Sequence, residues 1–154
     1  MATVLKNSGY LTTEAAITWA SGTTLASLAN NGYTSVSDEI DNSTNLYYAV
    51  DLRMVLASAA FTGTTSSLEV YLNVSVDGTN YPTWGTGTSD LQANVPKYVG
   101  QFWLTGTTAA QAGVLRRVIL PAGKYKWSFR NKGGATLAAS GNTIYWRPWS
   151  LQSV

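Results

Sequence analysis

Period-two alternation of apolar and polar residues constrains this chain more than any other feature. In residues 45–57, NLYYAVDLRMVLA, one side carries Leu46, Tyr48, Val50, Leu52, Met54 and Leu56, and the other carries Asp51 and Arg53. Residues 67–77, SLEVYLNVSVD, repeat the pattern: Leu68, Val70, Leu72, Val74 and Val76 oppose Glu69, Tyr71, Asn73 and Ser75. Successive side chains of a strand point to opposite faces, so these runs predict strands with one buried face. Tyr125, Trp127 and Phe129 alternate in the same way with Lys124, Lys126, Ser128 and Arg130. Residues 98–105, 114–120 and 143–149 are further expected strands. Asp77-Gly78 is a hairpin signal, and the return through residues 81–85 is confined by Pro82 to an edge or an irregular segment.

Seven or eight short strands separated by turns predict an all-β fold, an antiparallel β-sandwich of jelly-roll type. Before residue 40 the pattern is weaker. Thr24 could cap a single helical turn through Leu25, Leu28 and Ala29, ended by Asn31-Gly32, or the region could be extended. In residues 1–20 the apolar residues (Val4, Leu5, Tyr10, Leu11, Ile17, Trp19) keep no sustained period. These residues are read as an extended N-terminal arm that folds back or reaches a neighbour, with one sandwich domain over residues 21–154.

Few kinds of chemistry can be assembled from these side chains. The chain has neither cysteine nor histidine, which removes disulfides, thiolate and imidazole metal sites, cysteine nucleophiles and Ser-His-Asp relays. Asp38-Glu39-Ile40-Asp41 groups carboxylates beside a turn, a pattern that usually marks a solvated face rather than a calcium or glycosidase site. Gly133-Gly134 lacks the setting of a phosphate-binding loop. Asn42-Ser43-Thr44 and Asn73-Val74-Ser75 match glycosylation sequons in a chain that opens MATVLKNSGY, without an apolar leader. No stretch approaches the roughly 18 apolar residues that span a bilayer. The expectation is a non-enzymatic protein with no catalytic residues, no metal, no cofactor and no membrane association.

Charge divides the chain. Residues 1–94 hold two cations and all eight acids, a balance of −6, whereas residues 95–154 hold eight cations and no acid, a balance of +8. Two outcomes are open: strands of the two halves interleave and neutralise each other, or the protein presents separate acidic and basic faces to partners. With Tyr125, Trp127 and Phe129 turned inward, Lys124, Lys126 and Arg130 must project outward. They are the candidate partner contact, together with Arg116 and Arg117. Rings turned inward cannot stack on bases, so no direct nucleic-acid contact is expected from this strand. Arg147, between Tyr145 and Trp149, is expected to lie against rings.

The blocks IDNSTNLYYAVDLRM (40–54), SVDGTNYPTW (75–84), GTTAAQ (106–111) and LPAGKYKWSFRNKGGATLAASGNTIYWRPW (120–149) occur in that order. As a set covering about residues 20–150, they resemble a family of small tailed-phage and prophage virion structural proteins. The length and all-β pattern are similar to those of jelly-roll cement proteins, which clamp major capsid subunits from outside the shell. The resemblance implies a capsid cement or decoration protein without enzyme activity. Such a protein would be made in the bacterial cytoplasm and carried on the outer capsid surface, with the major capsid protein as partner and a dimer or trimer as its state. It carries over no site residues. The alternatives are a virion-surface carbohydrate-binding module using Tyr71, Tyr81, Trp84 or Trp149, and a tail or head–tail connector component.

Overall fold

A computed structural model describes residues 5–10, 13–62, 65–82 and 96–153, with backbone only for residues 5–10 and 151–153. Nine strands are described: β1 (Leu5–Tyr10), β2 (Ala15–Ala16), β3 (Ile40–Asp41), β4 (Ala49–Leu56), β5 (Ser67–Val74), β6 (Lys97–Trp103), β7 (Gln111–Ile119), β8 (Lys124–Lys132) and β9 (Thr143–Ser153). They form two sheets, β1-β9-β4-β7 with β2 also on β9, and β3-β8-β5-β6. Every pairing is antiparallel. The described residues contain no helix. The protein is an all-β sandwich, as the alternation predicts.

The core lies between the sheets. β4 contributes Val50, Leu52, Met54 and Leu56; β5 contributes Leu68, Val70 and Leu72; β8 contributes Tyr125, Trp127 and Phe129, each of these three 0% exposed. β5 and β8 pair without a break from Ser67↔Lys132 to Val74↔Tyr125. The other edge of β8 is finished differently. β3 covers only Tyr125 and Lys124, and the irregular segment 31–38 runs along the rest. There Thr34 Oγ1 accepts from Phe129 N–H at 3.0 Å and Ser37 Oγ from Trp127 N–H at 2.9 Å. Their own N–H groups donate back to the carbonyls of Phe129 and Trp127. Two hydroxyls thus take over strand pairing where no regular strand could continue.

On the opposite side of the sandwich, β6 meets β7 closely. Gly100 has φ +149°, and a Cβ there would stand 2.9 Å from Leu115 Cδ1, so both the conformation and the approach require glycine. The β3–β4 connection is held by Asn42, 1% exposed. Its Nδ2 donates to the carbonyls of Tyr47 and Pro121, and its Oδ1 accepts from Tyr47 N–H. Asn73, also a sequon asparagine, is 0% exposed and bonded to Ser128. Neither amide is available to a glycosyl donor in the folded chain.

Several expectations need correction. Residues 5–10 are extended, but as a strand of this domain's own sheet, and Ile17 is in the core with its N–H bonded to Ile144. Trp19 packs edge-on to Phe129. Of the two courses open to the arm, these residues take the one that folds back onto the sandwich. The turn capped by Thr24 forms, with Oγ1 accepting from Ala26 N–H and Leu25 and Leu28 buried, but Ser27 and Asn31 take positive φ and no helix results. Leu46 and Tyr48 precede β4 and are exposed. Val76 lies beyond β5, where Asp77 accepts the N–H groups of Thr79 and Asn80, and is also exposed. Tyr81 and Pro82 are not in a strand, and the rest of the expected return strand lies outside the described residues.

Trp127 Nε1 and Tyr125 Oη are buried without a hydrogen-bond partner, so the two rings differ in what truncation would cost. Trp127→Ala removes a fully buried ring and should destabilise by about 3–5 kcal/mol in urea denaturation. Tyr125→Phe removes only an unpaired hydroxyl, whose burial already pushes its pKa above the usual tyrosine range. It should be neutral or stabilising by about 1 kcal/mol. A large loss in Tyr125→Phe would mean that the hydroxyl has a partner in solution.

Candidate functional site on the sheet faces

Strand alternation turns Lys124, Lys126, Arg130 and Lys132 of β8 onto the outer face of the β3-β8-β5-β6 sheet. What they meet there is set by register. Glu69 stands opposite Arg130 across the β5–β8 ladder, and its carboxylate lies 3.7 Å from Arg130 Nη1 and 3.4 Å from Lys132 Nζ. It also accepts from Tyr71 Oη at 2.7 Å. Burial, then that bond, pushes the Tyr71 hydroxyl above its ordinary range. Lys124 pairs with Glu39 at 2.9 Å, and Tyr81 Oη donates to the same carboxylate at 2.5 Å. These contacts, Tyr81 foremost, hold Glu39 below the usual carboxylate range. The contact is therefore complete at neutral pH and is lost only as pH falls through that lowered value.

The face is also aromatic. Tyr71 lies between Tyr33 and Tyr98, with ring centroids 6.3 Å and 5.7 Å away. Arg130 covers the Tyr33 ring at 4.9 Å and Lys126 the Tyr81 ring at 4.6 Å. β8 supplies none of these rings; β5, β6 and the segments at 33 and 81 supply them. The strand itself offers no ring platform, as expected, and the aromatics of the face come from its neighbours. One face of the Tyr33 ring and one of the Tyr81 ring are covered by the protein's own cations, which removes them as platforms for a base.

Arg116 and Arg117 lie apart, on β7 in the other sheet. Arg117 takes φ +57° at a bulge, where its N–H donates to Asp51 Oδ1, and the exposed Arg116 guanidinium is 3.8 Å from Asp51. The five candidate cations are therefore not one patch. Three of them, Lys124, Arg130 and Arg116, pair with acids of the other half of the chain. Relief of their repulsion comes from within the molecule, by way of Glu69, Asp51 and Glu39. Nearby, Arg53 forms a two-pronged contact with Glu14 and lies over the Tyr145 ring at 4.2 Å. Glu14 and Tyr145 share with Asp51, Arg116 and Arg147 a small cavity of about 150 Å³.

Of the aromatics considered for sugar binding, Tyr71 and Trp149 are buried, Tyr81 is engaged by Glu39, and Trp84 lies outside the described residues. The acidic run does not gather on itself. Asp38 accepts from Thr18 Oγ1 and Ala20 N–H, Asp41 from Ser43 N–H, and the described residues hold no cluster of three potential metal ligands. Within the described strands the exposed large rings and aliphatics are Tyr98 and Trp103 on β6 and Val114 and Ile119 on β7; Leu46, Tyr48 and Val76 lie outside strands. Alternation within residues 97–103 could have signalled Trp103, since Phe102 and Leu104 alternate with it, but register alone shows what surrounds it. Comparison of the chain with protein-family models, curated proteins and solved structures finds no match in any of the three.

Glu69 is the acid on which this face depends. Glu69→Gln should leave Arg130 and Lys132 uncompensated and cost roughly 1–3 kcal/mol in denaturant unfolding, with the deficit shrinking as salt is added. Wild-type stability in Glu69→Gln would show that solvent already neutralises the two cations.

Proposed function

We propose that the protein is a non-enzymatic structural component of a tailed-phage virion, a cement protein that binds the major capsid shell from outside as a dimer or trimer. The observation that carries this reading is the β6–β7 side of the sandwich. The two sheets end there, and the two edge strands expose Tyr98 on the outer face of one sheet and Val114 and Ile119 on that of the other, each about half accessible (50%, 52% and 50%). Arg116, Arg117 and Lys97 lie on the same two strands. Among the described residues no further strand pairs beyond β6 or β7. An edge with large apolar side chains is a surface for other chains, and Tyr and Arg are enriched where such contacts are made.

The strand order β1-β9-β4-β7 facing β3-β8-β5-β6 supports the jelly-roll form of the reading, because both sheets are built from long-range pairings of the kind two Greek keys produce. A clip that binds only the mature shell stabilises that shell by mass action, and it needs rigidity and a contact surface rather than a reactive group. The β8 cations take a lesser part. With Lys124 and Arg130 engaged internally, Lys126 is the one of the three with no acid among the described residues within ion-pair distance.

Val114→Glu with Ile119→Glu should lower association with particles stripped of the protein by about tenfold or more, while the free protein keeps its melting temperature. Lys126→Glu should chiefly slow association and flatten its salt dependence. Arg130→Glu is a poor probe, since it would set a second acid against Glu69. Densitometry of purified virions should give a copy number near that of the major capsid protein. Undiminished association of the edge variant, or only a few copies per particle, would overturn the proposal.

A further inference from the structure

Beside Trp103 the sheet face opens into a cleft of about 370 Å³ that the β6–β7 edge does not include. Register builds its floor: Trp103, Ser67 and Lys132 stand in one row across β6, β5 and β8, facing outward. Two strand spacings put the outer members of the row about 10 Å apart. Trp103 is 67% exposed and Ser67 is buried between its neighbours. Gln101, one step along β6, and Asn30, Asn31 and the hydroxyl-bearing residues at 62 and 65 complete the lining.

The walls are fixed. Asn31 donates its N–H to Asn131 and takes φ +62°, which holds the 30–31 turn against the 133–134 turn. Asn131 Nδ2 donates to the carbonyls of Leu28 and Ala135, and its Oδ1 accepts from Gly133 N–H. Gly134 has φ +80°, and a Cβ there would come within 2.3 Å of Thr62 Oγ1. Asn30 Oδ1 accepts from Gly134 N–H, so the amide presents its donor end. Lys132 is held near Glu69. The cleft thus combines one broad exposed ring with hydroxyls and side-chain amides, of which that of Asn30 is held in place.

From this combination we infer a saccharide-binding site: a pyranose ring lies against the Trp103 indole, and its hydroxyls exchange water for the amides of Gln101, Asn30 and Asn31. The chemistry of the lining selects this ligand over an apolar peptide anchor. An inserted aliphatic side chain would strand several amides and hydroxyls without partners, whereas a polyhydroxylated ring replaces the water bonds it displaces. Trp supplies a flat apolar face with negative potential, suited to the axial C–H groups of a sugar. One such site is weak. Many copies on one particle would raise its avidity without any new contact.

The test uses the full chain against a printed array of hexose, N-acetylhexosamine, deoxyhexose and uronate oligosaccharides. Hits are then titrated by NMR on the Trp103 indole N–H, assigned by its loss in Trp103→Phe. The expected result is a saturable shift of that signal. Affinity should fall roughly tenfold in Trp103→Ala and less in Trp103→Phe, which keeps a ring. Gln101→Ala should weaken binding with unchanged thermal unfolding. The inference fails if no oligosaccharide shifts the Trp103 signal, or if binding survives Trp103→Ala at wild-type strength. It also fails if Trp103→Ala loses association with stripped particles while no glycan binds the wild type, for then the ring is a protein anchor.

Discussion

Every strand ladder in this protein joins one half of the chain to the other. β1, β2, β3, β4 and β5 all come from residues 1–94 and β6, β7, β8 and β9 from residues 95–154, and the sheet orders β1-β9-β4-β7 and β3-β8-β5-β6 alternate strictly between the two sets. Neither half can therefore complete a sheet alone. Backbone pairing, core closure and charge compensation all depend on the two halves meeting. Long-range pairing of this kind makes folding slow compared with a locally connected fold, because loop closure precedes most of the stabilising contacts.

This interleaving decides which outcome of the charge division is realised. A −6 half and a +8 half would form opposed faces if each built its own sheet. Threaded between each other, they put Glu69 beside Arg130, Glu39 beside Lys124 and Asp51 beside Arg116. Each of these pairs is partly exposed and individually contributes little. Together they keep the cationic strands from repelling one another in the sheets. Glu69 matters most because its side chain is only 12% exposed while it serves two cations and a tyrosine hydroxyl.

Legibility from sequence followed burial on one face. Where a strand has a single buried face, as in Val50-Leu52-Met54-Leu56 and Tyr125-Trp127-Phe129, alternation is enough to orient it. It misleads where both faces are covered: Tyr71 and Asn73 read as exposed, yet Tyr33, Tyr98 and Ser128 enclose them. It misleads again at strand ends, where Leu46 and Val76 keep the period but the backbone has already left the sheet. The hydroxyls of Thr34 and Ser37 and the amides of Asn42 and Asn131 were invisible for another reason. Each has a backbone partner far along the chain: 79 residues away for Asn42, 103 for Asn131, 90 for Ser37 and 95 for Thr34. The Trp103 cleft shares that property, since its lining comes from four separate stretches of chain.

Strict alternation has one more consequence, at the ends of the sheets. Each sheet ends in a strand of the acidic half on one side, β1 or β3, and in a strand of the cationic half on the other, β7 or β6. The interior strands find compensation on both flanks, but a terminal strand has a neighbour on one flank only. Lys97, Arg116 and Arg117 therefore lie on the β6–β7 side, while Asp38, Glu39 and Asp41 lie at and just before β3. In the β3-β8-β5-β6 sheet that second side is covered by the protein itself. Segment 31–38 satisfies β8, and Asp38 ties it to Thr18 and Ala20. Among the described residues the β6–β7 side has apolar side chains and the cations Lys97 and Arg117, and no comparable segment lies along it. Two unlike sides on one domain favour contacts with a different surface over contacts between identical edges. The polarity that makes β6–β7 the proposed contact edge thus follows from the same topology that neutralises the interior.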